Sequence, residues 1–162
     1  MVRRRHVLFG AGLGALALRF GFSARPPEAA QDFPLTHTDA EWQKLLTADQ
    51  YQVLRKEGTE YPFTSPLLNE HGKGKFACAG CDQDAFSSDT KFESGTGWPS
   101  FWAPLDGAVG TTRDSSMGMV RTEVHCSRCG GHLGHVFEDG PKPTGLRYCM
   151  NGVAMTFHRA SA

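Results

Sequence analysis

Cys126-Ser127-Arg128-Cys129-Gly130-Gly131-His132-Leu133-Gly134-His135-Val136-Phe137 is the stretch on which the fold turns. Two thiols three positions apart are followed at once by two glycines and a run of strand length. On the other side, Met117–Val124 is a second run of that length. Working outward, Lys75–Cys78, Ala85–Ser88, Leu146–Cys149 and Val153–His158 repeat the pattern, punctuated by Gly, Ser, Thr, Asp and Pro. Nineteen glycines and nine prolines in 162 residues argue against a helical bundle and for short strands joined by turns. Helical signals come early. Thr38 is placed to cap a helix carrying Glu41, Trp42, Leu45 and Leu46 as one apolar stripe. Thr47 is placed to cap a second, Ala48 to Glu57, stopped by Gly58. The expectation is a mainly β, small antiparallel domain over residues 37–160, with short helices at its N-terminal side.

Ahead of it, residues 1–24 divide into three zones: Arg3-Arg4-Arg5, an uncharged twelve-residue run from Val7 to Leu18, and small residues around Gly21 and Ser23. The run falls short of the roughly 20 residues that span a bilayer, and the order fits an export signal of the twin-arginine type. A retained apolar N-terminal helix is the alternative. Periplasmic or exported location is expected, with no membrane contact beyond this segment; residues 25–36 read as a linker. Setting aside Arg3, Arg4, Arg5 and Arg19 leaves 13 basic against 17 acidic residues, a net of −4. A body of that sign lacks the basic face that nucleic acid requires.

The five cysteines split four and one. Cys78-Ala79-Gly80-Cys81 and Cys126-Ser127-Arg128-Cys129 are knuckles that let four thiolates close a tetrahedron around Zn²⁺, a structural site with no open position. With 44 residues between them, the ion would tie two distant hairpins together. Disulfides, or a thioredoxin-like redox centre, are the rival readings; the latter needs a helix N-terminus after the knuckle, and neither knuckle has a helical pattern following it.

Cys149 remains. On a strand, Arg147 and Asn151 share its face; a guanidinium there favours thiolate, and an amide can orient a polar substrate. A buried inert thiol is the plainer reading, against which the charged neighbour counts. His132 and His135 would face opposite ways on a regular strand, but Gly130, Gly131 and Gly134 make a turn or a bulge expected. Each is a proton donor or a satisfied polar residue on these grounds. Trp98, between Gly97 and Pro99, is expected to be held rigidly at a surface concavity.

Ser94–Phe101, Met119–Val124, His132–Phe137 and Gly145–Asn151 follow the order found in methionine (R)-sulfoxide reductases, and the resemblance runs from about Trp42 to Phe157. It implies two antiparallel sheets in a barrel-like domain, a four-cysteine zinc site, and reduction of oxidised methionine in proteins or peptides. Cys149 would attack the sulfoxide sulfur and become a sulfenic acid. His135, helped by His132 and water, would protonate the oxygen; Asn151 and Arg147 would position these partners; Trp98 would receive the S-methyl group. Many members place a resolving cysteine where this chain has Thr96, so an external thiol, such as a thioredoxin-like protein, would regenerate Cys149; a disulfide to a knuckle cysteine, with zinc released, is the alternative. A zinc-ribbon interaction module and a thiol peroxidase are the rival functions.

Overall fold

The computed structural model describes residues 32–161. The proposed export segment and most of the linker lie outside them. Within them, Phe33 already packs edge-on to His125, and the Leu35 amide donates to the Arg128 carbonyl.

Two helices come first, α1 (Asp39–Leu45) and α2 (Ala48–Lys56). Each opens on a threonine in a full capping box: the Thr38 and Thr47 side chains accept from the amides of Glu41 and Gln50, whose side chains reach back to the threonine amides. The apolar stripe of α1 is narrower than expected. Trp42 and Leu46 are buried, while Leu45 is exposed, because only the i, i+4 face of so short a helix meets the domain. The stop after α2 also differs. Glu57, not Gly58, takes the left-handed conformation (φ 55°). Gly58 serves another need: its amide donates to the Gln52 carbonyl, and a Cβ there would sit 2.8 Å from that oxygen.

Nine strands follow: β1 (Gly74–Cys78), β2 (Asp84–Ser87), β3 (Lys91–Phe92), β4 (Ser100–Phe101), β5 (Val109–Asp114), β6 (Arg121–Cys126), β7 (His132–Phe137), β8 (Arg147–Met150) and β9 (Met155–Arg159). They form two antiparallel sheets, ordered β2-β1-β9 and β3-β4-β8-β7-β6-β5. The larger sheet keeps β3 and β5 as edges, so the expected barrel is open. Aromatic rings join the sheets: Phe101 of β4 stacks on Phe86 of β2 (centroids 4.5 Å apart) and meets Phe76 of β1 edge-on at 4.9 Å. All three rings are fully buried, and such pairs add about 0.5–1.5 kcal/mol each beyond their area.

The run expected over Met117–Val124 starts as a strand only at Arg121. Ser116–Gly118 is a 3-10 turn instead, with Gly118 in the left-handed region (φ 71°). Both cysteine knuckles cap hairpins, one between β1 and β2, the other between β6 and β7. In each, the amide four residues after the first cysteine (Asp82, Gly130) donates to that cysteine's carbonyl.

Candidate metal centre and active site

The hairpin tips bring the four knuckle sulfurs within 4.8 Å of one another. Cys78 and Cys129 Sγ are 3.7 Å apart, Cys81 and Cys126 Sγ 3.5 Å. A tetrahedron with Zn–S arms of about 2.3 Å has edges of roughly 3.8 Å, whereas a disulfide closes at about 2.05 Å. All four thiols are free. Strands and turns follow the knuckles, so no helix dipole is available for redox chemistry. The donor set fits a closed structural zinc site. Its surroundings are tied to the helices: the Arg55 guanidinium donates to the Cys129 carbonyl and lies over the Trp42 ring, and Leu54 packs against Gly131.

Cys149 lies elsewhere, in the middle of the larger sheet. Its Cα is opposite Ser100 of β4 on one side and His135 of β7 on the other. It is half-buried and within 3.7 Å of the Thr96 hydroxyl. That hydroxyl heads a chain: Thr96 Oγ1 to Ser94 Oγ at 2.8 Å, Ser94 to Ser100 Oγ at 2.7 Å, and Ser100 donating to the Trp98 carbonyl at 3.1 Å. Gly95 and Gly97, at φ 73° and 91°, let the loop turn tightly enough to present Thr96.

Arg147 is clamped by Asp139 through two 2.8 Å bonds and lies over the Phe137 ring. Asp139 chiefly, and the neighbouring Cys149 sulfur in addition, keep this guanidinium charged, and the same pairing holds the Asp139 carboxyl below its ordinary range. Asn151 has both ends of its amide engaged, donating to the Leu133 carbonyl at 3.1 Å and accepting from the Glu60 amide at 3.0 Å. Trp98 donates from Nε1 to the Glu60 carbonyl at 3.1 Å. Glu60 thus links Trp98 to Asn151, and its carboxylate takes the amides of Gly152 and Val153. Burial pushes the Glu60 carboxyl up against those two bonds.

Of the turn or bulge expected, a bulge is present. Val124 pairs with Gly134 but His125 pairs with His132, so Leu133 is skipped, and both imidazoles reach one side with centroids 5.3 Å apart. A Cβ on Gly134 would lie 2.2 Å from the Cys149 carbonyl, so only glycine lets β7 approach β8 this closely. Each ring is anchored to a carboxylate: His132 Nδ1 to Glu123 at 2.9 Å, His135 Nε2 to Asp114 at 2.8 Å. Burial pushes the His135 pKa down, and Asp114 partly opposes this. Hydrogen bonds from Ser116, and then from His135, hold Asp114 far below the ordinary carboxylate range.

His135 is thus opposite Cys149 across β7 and β8, His132 lies beside His135, Arg147 lies beside the Cys149 sulfur, and Trp98 is on the loop that touches Cys149. Sequence reasoning missed Asp114, Glu123, Asp139, Glu60 and the serine pair. Glu123 alone carried a signal, sharing a strand face with Arg121 and His125. The rest depend on strand pairing. A cavity of about 660 Å³ lies between α2 and the Glu60–Leu67 segment; it shares Glu60 with the site but none of the sulfur or imidazole groups.

Residues 46–159 match the SelR domain family. The chain is 59% identical over 121 residues to the peptide methionine sulfoxide reductase MsrB of Agrobacterium fabrum, covering 74% of this chain and 90% of that one. With the enzyme of the same name from Leptospira interrogans it is 54% identical over 129 residues, 79% and 98% of the two chains. For that from Methanosarcina barkeri the values are 57% over 121 residues, 74% and 85%. The family match and these identities show that the chain belongs to the SelR domain family, that of the MsrB methionine sulfoxide reductases.

Proposed function

We propose that this protein reduces methionine (R)-sulfoxide, with Cys149 as the nucleophile. The observation that carries the reading is the setting of Cys149 Sγ: half-buried, beside the Arg147 charge, on a strand paired with the one bearing His135. Cys149 attacks the sulfoxide sulfur while His135 protonates the departing oxygen. Methionine leaves, and oxygen and proton remain on Cys149 as a sulfenic acid. Trp98, its indole fixed by Glu60, offers the face for the S-methyl group. Asn151 ties the His132–His135 strand to that same Glu60. Preference for the R epimer comes with the family.

Thr96 stands where an internal thiol could resolve the sulfenic acid, and a hydroxyl cannot form that bond. With the knuckle cysteines around zinc, the second step falls to an external dithiol: it gives up two hydrogens, becomes a disulfide, and releases water from Cys149. Exposed Tyr61, Phe63, Met119 and Val120 make apolar rims beside the Trp98 loop and the Asp114–Arg121 turn, suited to a peptide or an unfolded protein segment. The arginine-led N-terminal segment supports export. No helix among the described residues is long and apolar enough to cross a membrane.

A dithiol-driven assay on each epimer, run with native protein and Cys149→Ser, tests the reading. Turnover of the R epimer by native protein alone is expected. Equal turnover of both epimers, or activity surviving in Cys149→Ser, would refute it.

A further inference from the structure

Glu123 on β6 is a largely enclosed carboxylate with no part in the chemistry above. Its Cα is opposite His135, while its Oε1 meets His132 Nδ1 at 2.9 Å and its Oε2 meets His125 Nδ1 at 3.4 Å. The three side chains are nearly enclosed, with 15%, 3% and 7% of their surface exposed in the order Glu123, His132, His125. His125 is a fixed backstop. Phe33 meets its ring edge-on, and a Cβ on Gly110 would lie 2.4 Å from its Nε2, so the β5 glycine opens its slot. Burial alone would push the Glu123 carboxyl up; contact with His125 and His132 outweighs burial and holds it at about 2. Ionised, it only accepts, so the His132 nitrogen facing it must carry hydrogen. In a neutral ring that leaves Nε2 as a bare lone pair. Nε2 of His132 is buried and has no protein partner. A buried acceptor that the fold leaves unmatched is aimed at something the fold does not supply, here substrate or water.

We infer that Glu123 is a positioning residue that fixes His132 as its Nδ1–H tautomer, so that Nε2 serves the reaction as a proton acceptor. The inference rests on the reductase reading for its chemical use. The thiol proton of Cys149 passes to His132 Nε2 across a bridging water. His135 gives its own proton to the sulfoxide oxygen, which ends on sulfur as the sulfenic acid. One proton moving from His132 to His135 resets the pair.

The tautomer can be read directly, without substrate, by long-range proton–nitrogen correlation on histidine-labelled native protein, with the His132 signals assigned by their loss in His132→Gln. The Nδ1-protonated pattern is expected. In Glu123→Gln, His132 should shift towards the Nε2-protonated form. kcat should fall roughly 10- to 100-fold, as when the orienting partner of a functional histidine is lost, with KM within about twofold. Glu123→Asp should restore part of both. A native His132 protonated at Nε2, or a Glu123→Gln protein with unchanged tautomer and kcat, overturns the inference. If Glu123→Gln does not fold, the native spectrum decides alone. A protein showing the Nδ1–H pattern that reduces neither epimer would sink the reductase reading and leave the tautomer assignment standing.

Discussion

The knuckle cysteines and Cys149 are the same side chain put to opposite uses, and their surroundings explain the division. Around the knuckles the sulfurs face one another at 3.5–3.7 Å, on hairpin tips braced by α2 and capped by Phe33. Four thiolates that close are held together only by a cation, and a closed tetrahedron leaves no orbital for a substrate. Among the described residues Cys149 pairs with no second thiol. A hydroxyl, a guanidinium and, one strand over, a carboxylate-anchored imidazole surround it instead. One region trades reactivity for stability, and the other does the reverse.

The largest expected effect separates the two regions by stability. Structural zinc contributes on the order of 10–16 kcal/mol in small zinc domains, as much as or more than the ~5–15 kcal/mol net stability of a typical domain. Cys126→Ser, or a strong chelator, should therefore abolish the cooperative thermal transition together with the bound metal. Cys149→Ser should melt within a few degrees of native protein. Zinc content and circular dichroism melts on both variants check this. A Cys126→Ser protein that stays folded would remove the structural role from the metal.

The two regions were also unequally legible in the sequence. Paired knuckles announce themselves by spacing, and the capping boxes of α1 and α2 by the Thr-x-x-Glu and Thr-x-x-Gln order. Cys149, the two imidazoles and Trp98 could be named from local pattern, and the β7 bulge from its glycines. Their partners could not. Glu123 and His132 belong to different strands, Asp114 reaches His135 from β5 two strands away, and Glu60 arrives from a loop 91 residues before Asn151. Such pairs depend on register, which a list of propensities does not contain. β5 escaped notice because Val109-Gly110-Thr111-Thr112-Arg113-Asp114 has one large apolar residue. As an edge strand it pairs through its backbone with β6 alone and needs no apolar face.

Thr96→Cys would move the reactive region towards the behaviour of a sulfur cluster. The oxygen it replaces lies 3.7 Å from Cys149 Sγ, so a modest side-chain rotation brings two sulfurs to bonding distance. After one turnover without reductant, native protein should hold a sulfenic acid that dimedone labels. The variant should lose two thiols per methionine formed, take no label and keep its zinc. A bond closing a loop of this length adds roughly 4 kcal/mol against unfolding, so the oxidised variant should melt several degrees higher. Label persisting in the variant would mean that the Thr96 side chain does not reach Cys149 in solution.

The smallest effect tests how the proton donor is tuned. Burial lowers the His135 pKa, the neighbouring Arg121 and His132 charges lower it further, and the Asp114 contact alone raises it, with burial the largest influence. Asp114→Asn removes the raising influence and leaves burial and the two positive neighbours unopposed, so the folded value falls further below 6.5. The imidazolium needed to protonate the sulfoxide oxygen is then lost at a lower pH. The alkaline limb of kcat/KM should move down by about one unit, and the acid limb should stay where it is. The same change also weakens the 2.6 Å pairing of Asp114 with the Arg121 guanidinium, so some stability should be lost although the new amide can still accept from Ser116. A pH–rate profile on both proteins measures the shift. A limb that moves up, or does not move, would show that His135 is not the group whose protonation limits the reaction, and the donor would have to be sought at His132.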